Sequence, residues 1–485
     1  MDLNRRLPAS AALAVTVFFL ISSGGVDGNL VFNVRRKFSA KESLLSVSRE
    51  HDFRRRGRIL TGVDLPLGGN GHPSGTGLYF TKIGMGTPPK YFYVQVDTGS
   101  DLLWLNCIDC IKCPRKSDLG IKLSLYDPKI SSTANLVTCD EGFCTATYSG
   151  PLPGCKPELL CQYNVVYGDG SSTSGYFVRD NVQFDAVTGD LQTSSANGSV
   201  IFGCGNKQTG ELGSSSEAVD GILGFGQANS SMLSQLALSG KVKKIFSHCL
   251  DGDNGGGIFA IGEVVEPKVD TTPLVPNQSH YNVKLKTIAV GGHALQLPTD
   301  IFDTGSGRGT VIDSGTTLAY LPDEVYKEMM TAIMANQPQL KLYTIEEQYT
   351  CFHFGESIDK GFPVVEFHFD GSLTLTVYPH EYFFPIGQDQ WCVGWQNSGV
   401  QSRDGKDMTL LGDLVLLNKL VVYDLEKQTL GLTEYNCSSS IKIKDEKTGA
   451  VYTVGAHNLG SASALVVGRL LQILSFFVLG LYTLL

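Results

Sequence analysis

The sequence predicts an all-β, two-lobed body with a few short helices, and three observations lead there. Short runs rich in β-branched and aromatic residues recur between turn residues, at 91–96, 163–167, 200–202, 281–290 and 420–423. Glycine is abundant, 55 of 485 residues, as a turn-rich chain requires. The chain also carries a loose internal repeat. Residues 91–96 lead into Asp97-Thr98-Gly99-Ser100, and 310–312 lead into Asp313-Ser314-Gly315-Thr316. Later in each half an apolar pair precedes a glycine, Ile222-Leu223-Gly224 and Leu410-Leu411-Gly412. Two such halves would set their aspartates on matching loops across an approximate two-fold axis. One clear helix is expected at 324–336, after Pro322-Asp323, with Val325, Met329 and Ile333 on one face.

The two ends read as addresses. Arg5 and Arg6 precede a short apolar run and then small residues at 22–25, the pattern of a signal peptide cut between Ser23 and Gly28. The segment 1–28 is therefore assigned to targeting and 29–75 to a prosegment. At the other end an apolar tail, 470–485, follows small residues at 460–463 and a short spacer containing Arg469. That describes a GPI-attachment signal with Ser461 as the attachment residue, 441–461 as linker and 462–485 removed. A transmembrane helix from Leu465 is the rival; it would contain Arg469 and have no cytoplasmic flank. The expected location is the outer face of the plasma membrane, or else the extracellular space. Between the ends, 76–275 and 276–440 form the two lobes.

Charge divides the chain. Residues 29–60 hold nine Lys/Arg against three Asp/Glu, while 62–440 hold 24 against 41. A basic segment thus precedes an acidic body, either as a solvated tail or as a propeptide docking on an acidic cleft. The net charge of −9 gives no support to nucleic-acid binding. Twelve cysteines in an exported chain read as six disulfides. Sequons at Asn197, Asn229, Asn277 and Asn436 agree with export. The spacing Cys107-x2-Cys110-x2-Cys113 echoes part of a metal-ligand run, but no fourth ligand follows at the required spacing. No metal or other cofactor is expected. A Gly-x-Ser-x-Gly elbow and a His-Glu-x-x-His pair are both absent from the sequence.

Asp97 and Asp313 carry the chemistry. Two carboxylates brought close cannot both ionise easily, so they share a proton. The ionised member can take a proton from water as water attacks a carbonyl, and the other can donate to the developing oxyanion. Gly99 and Gly315 allow tight turns. Ser100 and Thr316 can bond the carboxylates, and Thr98 and Ser314 can lock the loops together. Either Asp-hydroxyl-Gly turn alone would be an ordinary turn; both together, each after a strand and matched to an apolar-Gly element, are not.

The stretches VDTGSDLLW (96–104), YGDGSSTSGYF (167–177), DGILGFG (220–226), IDSGTTLAYL (312–321) and LLGDLVL (410–416) resemble the pepsin-like aspartic protease family. The resemblance spans roughly 78–437. It implies a bilobal fold of two related six-stranded-type barrel lobes, a cleft for an extended polypeptide, and an aspartic-type endopeptidase active at acidic pH as a monomer. It makes Tyr167 the flap tyrosine, with Gly168, Asp169 and Gly170 in the flap, and Trp104 its support. The cysteine pattern resembles the plant nepenthesin-like branch. By that likeness the pairs are Cys107–Cys110, Cys113–Cys204, Cys139–Cys161, Cys144–Cys155, Cys249–Cys437 and Cys351–Cys392. The alternative function is a catalytically inactive binding or inhibitor protein on the same fold. Integrity of both Asp motifs and of the flap tyrosine favours the enzyme.

Overall fold

The computed structural model describes residues 61–459 apart from 74–76, 215–216, 299, 305–308, 346–348 and 398–407. The segment expected as a signal peptide, the basic segment 29–60, Ser461 and the apolar tail lie outside the described residues.

Strands dominate, as expected. In the first lobe Lys90–Asp97 pairs with Leu78–Met85 on one side. On its other side runs Gly221–Gly224, parallel, with Leu223 opposite Val96 and Gly224 opposite Asp97. Gly221–Gly224 also lies antiparallel to Leu103–Ile111. The second lobe repeats this arrangement. Leu410–Leu411 runs parallel to Thr310–Ile312, with Leu411 opposite Ile312, and antiparallel to Ala319–Leu321. The internal repeat of the sequence is therefore a repeat of topology, and it delivers both aspartates to the carboxyl ends of equivalent strands.

A central sheet joins the lobes. Ile245–Leu250 pairs with Gly257–Ile261 and with Lys419–Asp424, which in turn pairs with Thr429–Glu434. Its apolar side chains, including Phe246, Phe259, Val421 and Tyr423, are fully buried. The expected helix runs Asp323–Met334 and buries Val325, Met329, Met330 and Ile333. It stops short of 336 because Pro338 cannot continue a helix. The strand expected at 281–290 is two, Asn282–Val283 and Leu285–Val290, which join different sheets. Tyr167 falls in a turn beyond the strand Gln162–Val166.

Residues 61–73, expected as the end of the prosegment, pack into the body. Val63–Asp64 pairs with both Gly257–Ile261 and Ser172–Gly189, and Val63, Leu65 and Leu67 are buried. The segment 441–461 was expected as a linker, yet Ser440–Lys444 and Val451–Gly455 form a hairpin joined to Glu263–Glu266. Ile441, Ile443 and Val454 from that hairpin enter a core cluster with Ile245, Cys249 and Ile258. Alternation of apolar Ile441 and Ile443 with Lys442 and Lys444 is the period-2 signature of a half-buried strand. Beyond the hairpin, His457 exchanges backbone bonds with Gly257, the Leu459 N–H donates to the Leu67 carbonyl, and the His457 ring lies 2.8 Å from Asp64. The two ends of the described chain are thus stitched together.

All twelve cysteines are paired. Cys249–Cys437 and Cys351–Cys392 are as the resemblance implied. The other four pairs are Cys107–Cys204, Cys110–Cys113, Cys139–Cys155 and Cys144–Cys161. These replace the expected Cys107–Cys110, Cys113–Cys204, Cys139–Cys161 and Cys144–Cys155. Strand register supplies the reason. Leu105 lies beside Cys204 in the parallel pairing of Leu103–Ile111 with Gln192–Thr209, which brings buried Cys107 onto Cys204 and leaves Cys110 and Cys113 to close a tight loop. The bridge between Thr138 and Leu160 sets Cys161 across from Val137, two residues off Cys139. Cys161 is then met by Cys144, which points inward from the helix Gly142–Thr147.

Candidate active site

Asp97 and Asp313 end their strands and face each other at the junction of the lobes, each 6% exposed. Their loops are built alike. The Gly99 N–H donates to Asp97 Oδ1 and the Gly315 N–H to Asp313 Oδ1, both at 2.8 Å. The Ser100 hydroxyl donates to Asp97 Oδ2, and the Thr316 hydroxyl donates to Asp313 Oδ2 at 2.7 Å. The loops interlock closely. A Cβ on Gly99 would sit 2.5 Å from Asp313 Oδ2, and one on Gly315 would overlap Asp97 Oδ1. Each loop is anchored to its apolar-Gly element: the Phe225 N–H donates to the Asp97 carbonyl, and the Asp413 N–H donates to the Thr316 carbonyl.

The hydroxyl lock is one-sided. The Ser314 N–H donates to Thr98 Oγ1 at 2.8 Å, and Thr98 Oγ1 reaches Asp313 Oδ1 at 3.4 Å. The Ser314 hydroxyl, expected to do the same in return, is buried without a hydrogen-bond partner.

Electrostatics favour a retained proton. Burial, then the neighbouring Asp313 carboxyl, push Asp97 up to about 7, against the opposing effect of its hydrogen bonds from Ser100 and Gly99. The pair therefore retains one proton through the acid range. A third carboxyl, Asp413, is fully buried, and burial, then the neighbouring Asp313 and Asp97 carboxyls, hold it well above the usual carboxylate range.

The flap hairpin, Gln162–Val166 and Ser172–Gly189, turns through Tyr167, Gly168, Asp169 and Gly170. The Ser171 N–H donates to Asp169 Oδ1 at 2.9 Å, and Gly170 takes a φ of +80°, which favours glycine. Buried Trp104 donates its indole N–H to the Tyr167 hydroxyl at 2.7 Å, which fixes the phenol near Asp97.

Four polar residues of the site were not singled out from sequence. Asp101 accepts the Ala228 N–H at 2.8 Å and ties the first aspartate loop to the segment after Gly226. Its position inside DTGSD was a signal that could have been read. Asp413 follows Leu411-Gly412 directly and could have been found the same way. Tyr423 and His248 sit on adjacent strands of the central sheet, with His248 Nε2 3.2 Å from the Tyr423 hydroxyl, and no local motif marks them. The four sequon asparagines, Asn197, Asn229, Asn277 and Asn436, are all exposed. The cysteines of the Cys107 to Cys113 run are consumed by disulfides.

Comparison with known proteins bears on this geometry. Family models described as xylanase inhibitor N-terminal and xylanase inhibitor C-terminal match residues 79–263 and 280–434. Aspartic proteinase 36 of Arabidopsis thaliana is 52% identical over 472 residues, covering 97% of each chain. Aspartic proteinase 39 of Arabidopsis thaliana is 49% identical over 484 residues, covering 100% of this chain and 99% of the relative. Aspartic proteinase nepenthesin-2 of Nepenthes gracilis is 28% identical over 398 residues, covering 78% and 81%. Among solved structures, basic 7S globulin from soybean shares the fold with a TM-score of 0.61 at 21% identity, covering 78% of this chain and 97% of that one. Two matching lobes, each with an Asp-hydroxyl-Gly loop, and near full-length likeness to named proteinases lead to one conclusion: the chain belongs to the plant pepsin-like aspartic proteinase family.

Proposed function

We propose that the chain is an acid-active endopeptidase that hydrolyses extended polypeptides on the outer cell surface. The observation that carries this reading is the intact pair, two buried carboxyls on interlocked loops sharing one proton. In the reaction the anionic member takes a proton from water as it attacks the peptide carbonyl. The protonated member donates to the developing oxyanion, and the pair then returns a proton to the leaving amine. Tyr167 closes over the bound chain.

The family-model descriptions and the globulin likeness favour a second reading, an inactive binding protein on this fold. Both aspartates, both glycines and the Trp104–Tyr167 bond are intact, which supports the enzyme. Hydrolysis of casein at acidic pH, with and without pepstatin, distinguishes the two. Asp97→Asn is expected to lower the rate by at least about 1,000-fold. Equal rates in mutant and wild type would sink the mechanism. A rate that stayed flat from about pH 4 to about pH 8 would count against the shared proton.

Export by the signal peptide, glycosylation and a GPI anchor at Ser461 complete the reading, supported by the sequence patterns at the two ends and the exposed sequons. Release from intact cells by phospholipase C is the expected result. The basic segment 29–60 is proposed to restrain the acidic body, so protein retaining it should cleave more slowly than protein without it.

A further inference from the structure

Where the two ends of the described chain meet lies a cluster of charge that the proteolytic site does not use. Asp64 stands directly opposite Asp185 in the antiparallel pairing of Val63–Asp64 with Ser172–Gly189. Opposed residues of neighbouring strands show their side chains on one face, and two like charges so placed weaken a sheet. Asp64 is 6% exposed. Its Oδ2 lies 2.8 Å from His457 Nε2, and its Oδ1 is buried with no hydrogen-bond partner. Among the described residues the His457 ring is thus the only group that hydrogen-bonds this carboxyl.

His457 arrives from the far end of the chain, on a strap of residues 456–459. Its N–H donates to the Gly257 carbonyl and its carbonyl accepts from the Gly257 N–H, both at 2.8 Å. The Leu459 N–H donates to the Leu67 carbonyl at 2.7 Å. The strap runs so close that a Cβ on Gly68 would sit 2.6 Å from the Leu459 carbonyl oxygen. Two side chains add to these backbone bonds, Asn458 through the Asn254 carbonyl and His457 through Asp64. Only the second can change its charge.

We propose that Asp64, Asp185 and His457 form a pH-operated clasp, which holds the strap 456–459 on the body in mildly acidic surroundings and loosens it as pH rises.

The charges account for the direction. A protonated ring donates to Asp64 as a cation, the stronger kind of hydrogen bond, and stands as a positive charge beside two carboxylates. A neutral ring can still donate from Nε2, but the two carboxylates then face each other with no cation. The charged groups that act on the ring are Asp64, from the first described strand, and Asp185, from the strand beside it. The other segments against the strap, Leu67–Asn70 and Gly257–Ile261, have no ionisable side chain. The hydrogen bond to Asp64, aided by the charges of Asp64 and Asp185, raises His457 above the ordinary histidine value against the effect of burial. A raised value in the closed state means a contribution that is complete below the ordinary value and is lost as pH rises through the raised one. Burial, then the Asp64 charge, raise Asp185, and His457 opposes them. Stronger acid, by protonating the carboxyls, would open the clasp from the other side.

The clasp does not depend on the proteolytic reading, and its test needs no substrate. Amide hydrogen exchange of the full-length protein, read by mass spectrometry at about pH 5.5 and about pH 8 and corrected for intrinsic rates, reports opening of the strap. Protection across 456–459 is expected to fall about 3- to 30-fold from the lower pH to the higher, and by more than in the helix Asp323–Met334. His457→Gln keeps a donor and loses the charge, so its strap should be as open at about pH 5.5 as that of wild type at about pH 8. His457→Lys is charged at both and should keep the strap closed at both, a rescue that a packing role would not give. Asp64→Asn should abolish the pH dependence and lower the midpoint of the His457 ring titration, followed by carbon-13 resonance. Should His457→Lys fail to fold, His457→Gln and Asp64→Asn decide. Equal strap protection at the two pH values in wild type, or a pH dependence that survives in His457→Gln, would overturn the clasp.

Discussion

Gly99 and Gly315 show how little room the catalytic pair allows. Each backbone passes so near the opposite carboxylate that a single methyl would displace it. Gly315→Ala is therefore expected to lower kcat by at least about 100-fold, since a misplacement of one ångström has that scale of cost. A circular-dichroism spectrum like that of wild type would show that the loss is local, and activity within threefold of wild type would refute the close approach. These glycines were legible in the sequence because the Asp-hydroxyl-Gly turn is local and occurs twice. The one-sided lock was not legible. Thr98 and Ser314 look equivalent as letters, and only the surroundings of each hydroxyl separate them. Tyr423 and His248 were hidden for a related reason: they meet each other from strands 175 residues apart. The cysteines make the same point. Two spacings of three residues cannot reveal which cysteine faces the neighbouring strand, because register decides it.

At the scale of elements, the flap and the C-terminal hairpin do different work. Trp104 holds Tyr167 from below by one hydrogen bond, so Trp104→Phe should keep the ring packing and lose that restraint. Its kcat/KM is expected to fall about 3- to 10-fold, measured on a peptide substrate. The hairpin Ser440–Lys444 and Val451–Gly455 is a structural staple. Ile443→Ala removes a side chain that is 1% exposed and should cost about 2–5 kcal/mol in urea unfolding. A change below about 0.5 kcal/mol would mean that the segment is the linker its place near the chain end suggested. That expectation gave too little weight to the alternation of Ile and Lys across 441–444. The strands expected at 91–96 and 420–423 were readable to within a residue, as Lys90–Asp97 and Lys419–Asp424 show, whereas the run at 200–202 is only the middle of the long strand Gln192–Thr209.

For the molecule as a whole, the buried acids set how stability follows pH. Asp97 is pushed up to about 7 and Asp220 to about 6, both chiefly by burial. Their folded values lie above their unfolded ones, so the folded state keeps protons that the unfolded chain has shed. Their contribution is present in acid and is lost as pH rises through about 6 to 7. His457, raised chiefly by its hydrogen bond to Asp64, acts in the same direction. His248 opposes them. Its folded value, about 3, lies below the unfolded one, so its contribution is present above the unfolded value and lost as pH falls toward 3. With Asp101 and Asp413 also raised by burial and His72 also lowered by it, the raised groups prevail and predict a higher Tm at about pH 4.5 than at about pH 7.5, measured by calorimetry. Asp220→Asn should flatten that slope. A Tm that climbed between those two values would contradict the assignment. The two-lobed plan itself was legible from the repeat. The stitching of the ends was not, because it joins residues almost four hundred positions apart.

That stitching has a mechanical side. If the chain is tethered beyond residue 459, any tug from the membrane enters the protein at Leu459. The first links to bear load are the Leu459 bond to Leu67, the His457 bonds to Gly257 and the His457–Asp64 contact. Behind them stands the hairpin, closed by Cys249–Cys437 just before it begins. The catalytic loops lie further along the force path, beyond the central sheet. Under such a tether the strap would act as strain relief on a cable, taking the load before tension reached the pair of aspartates.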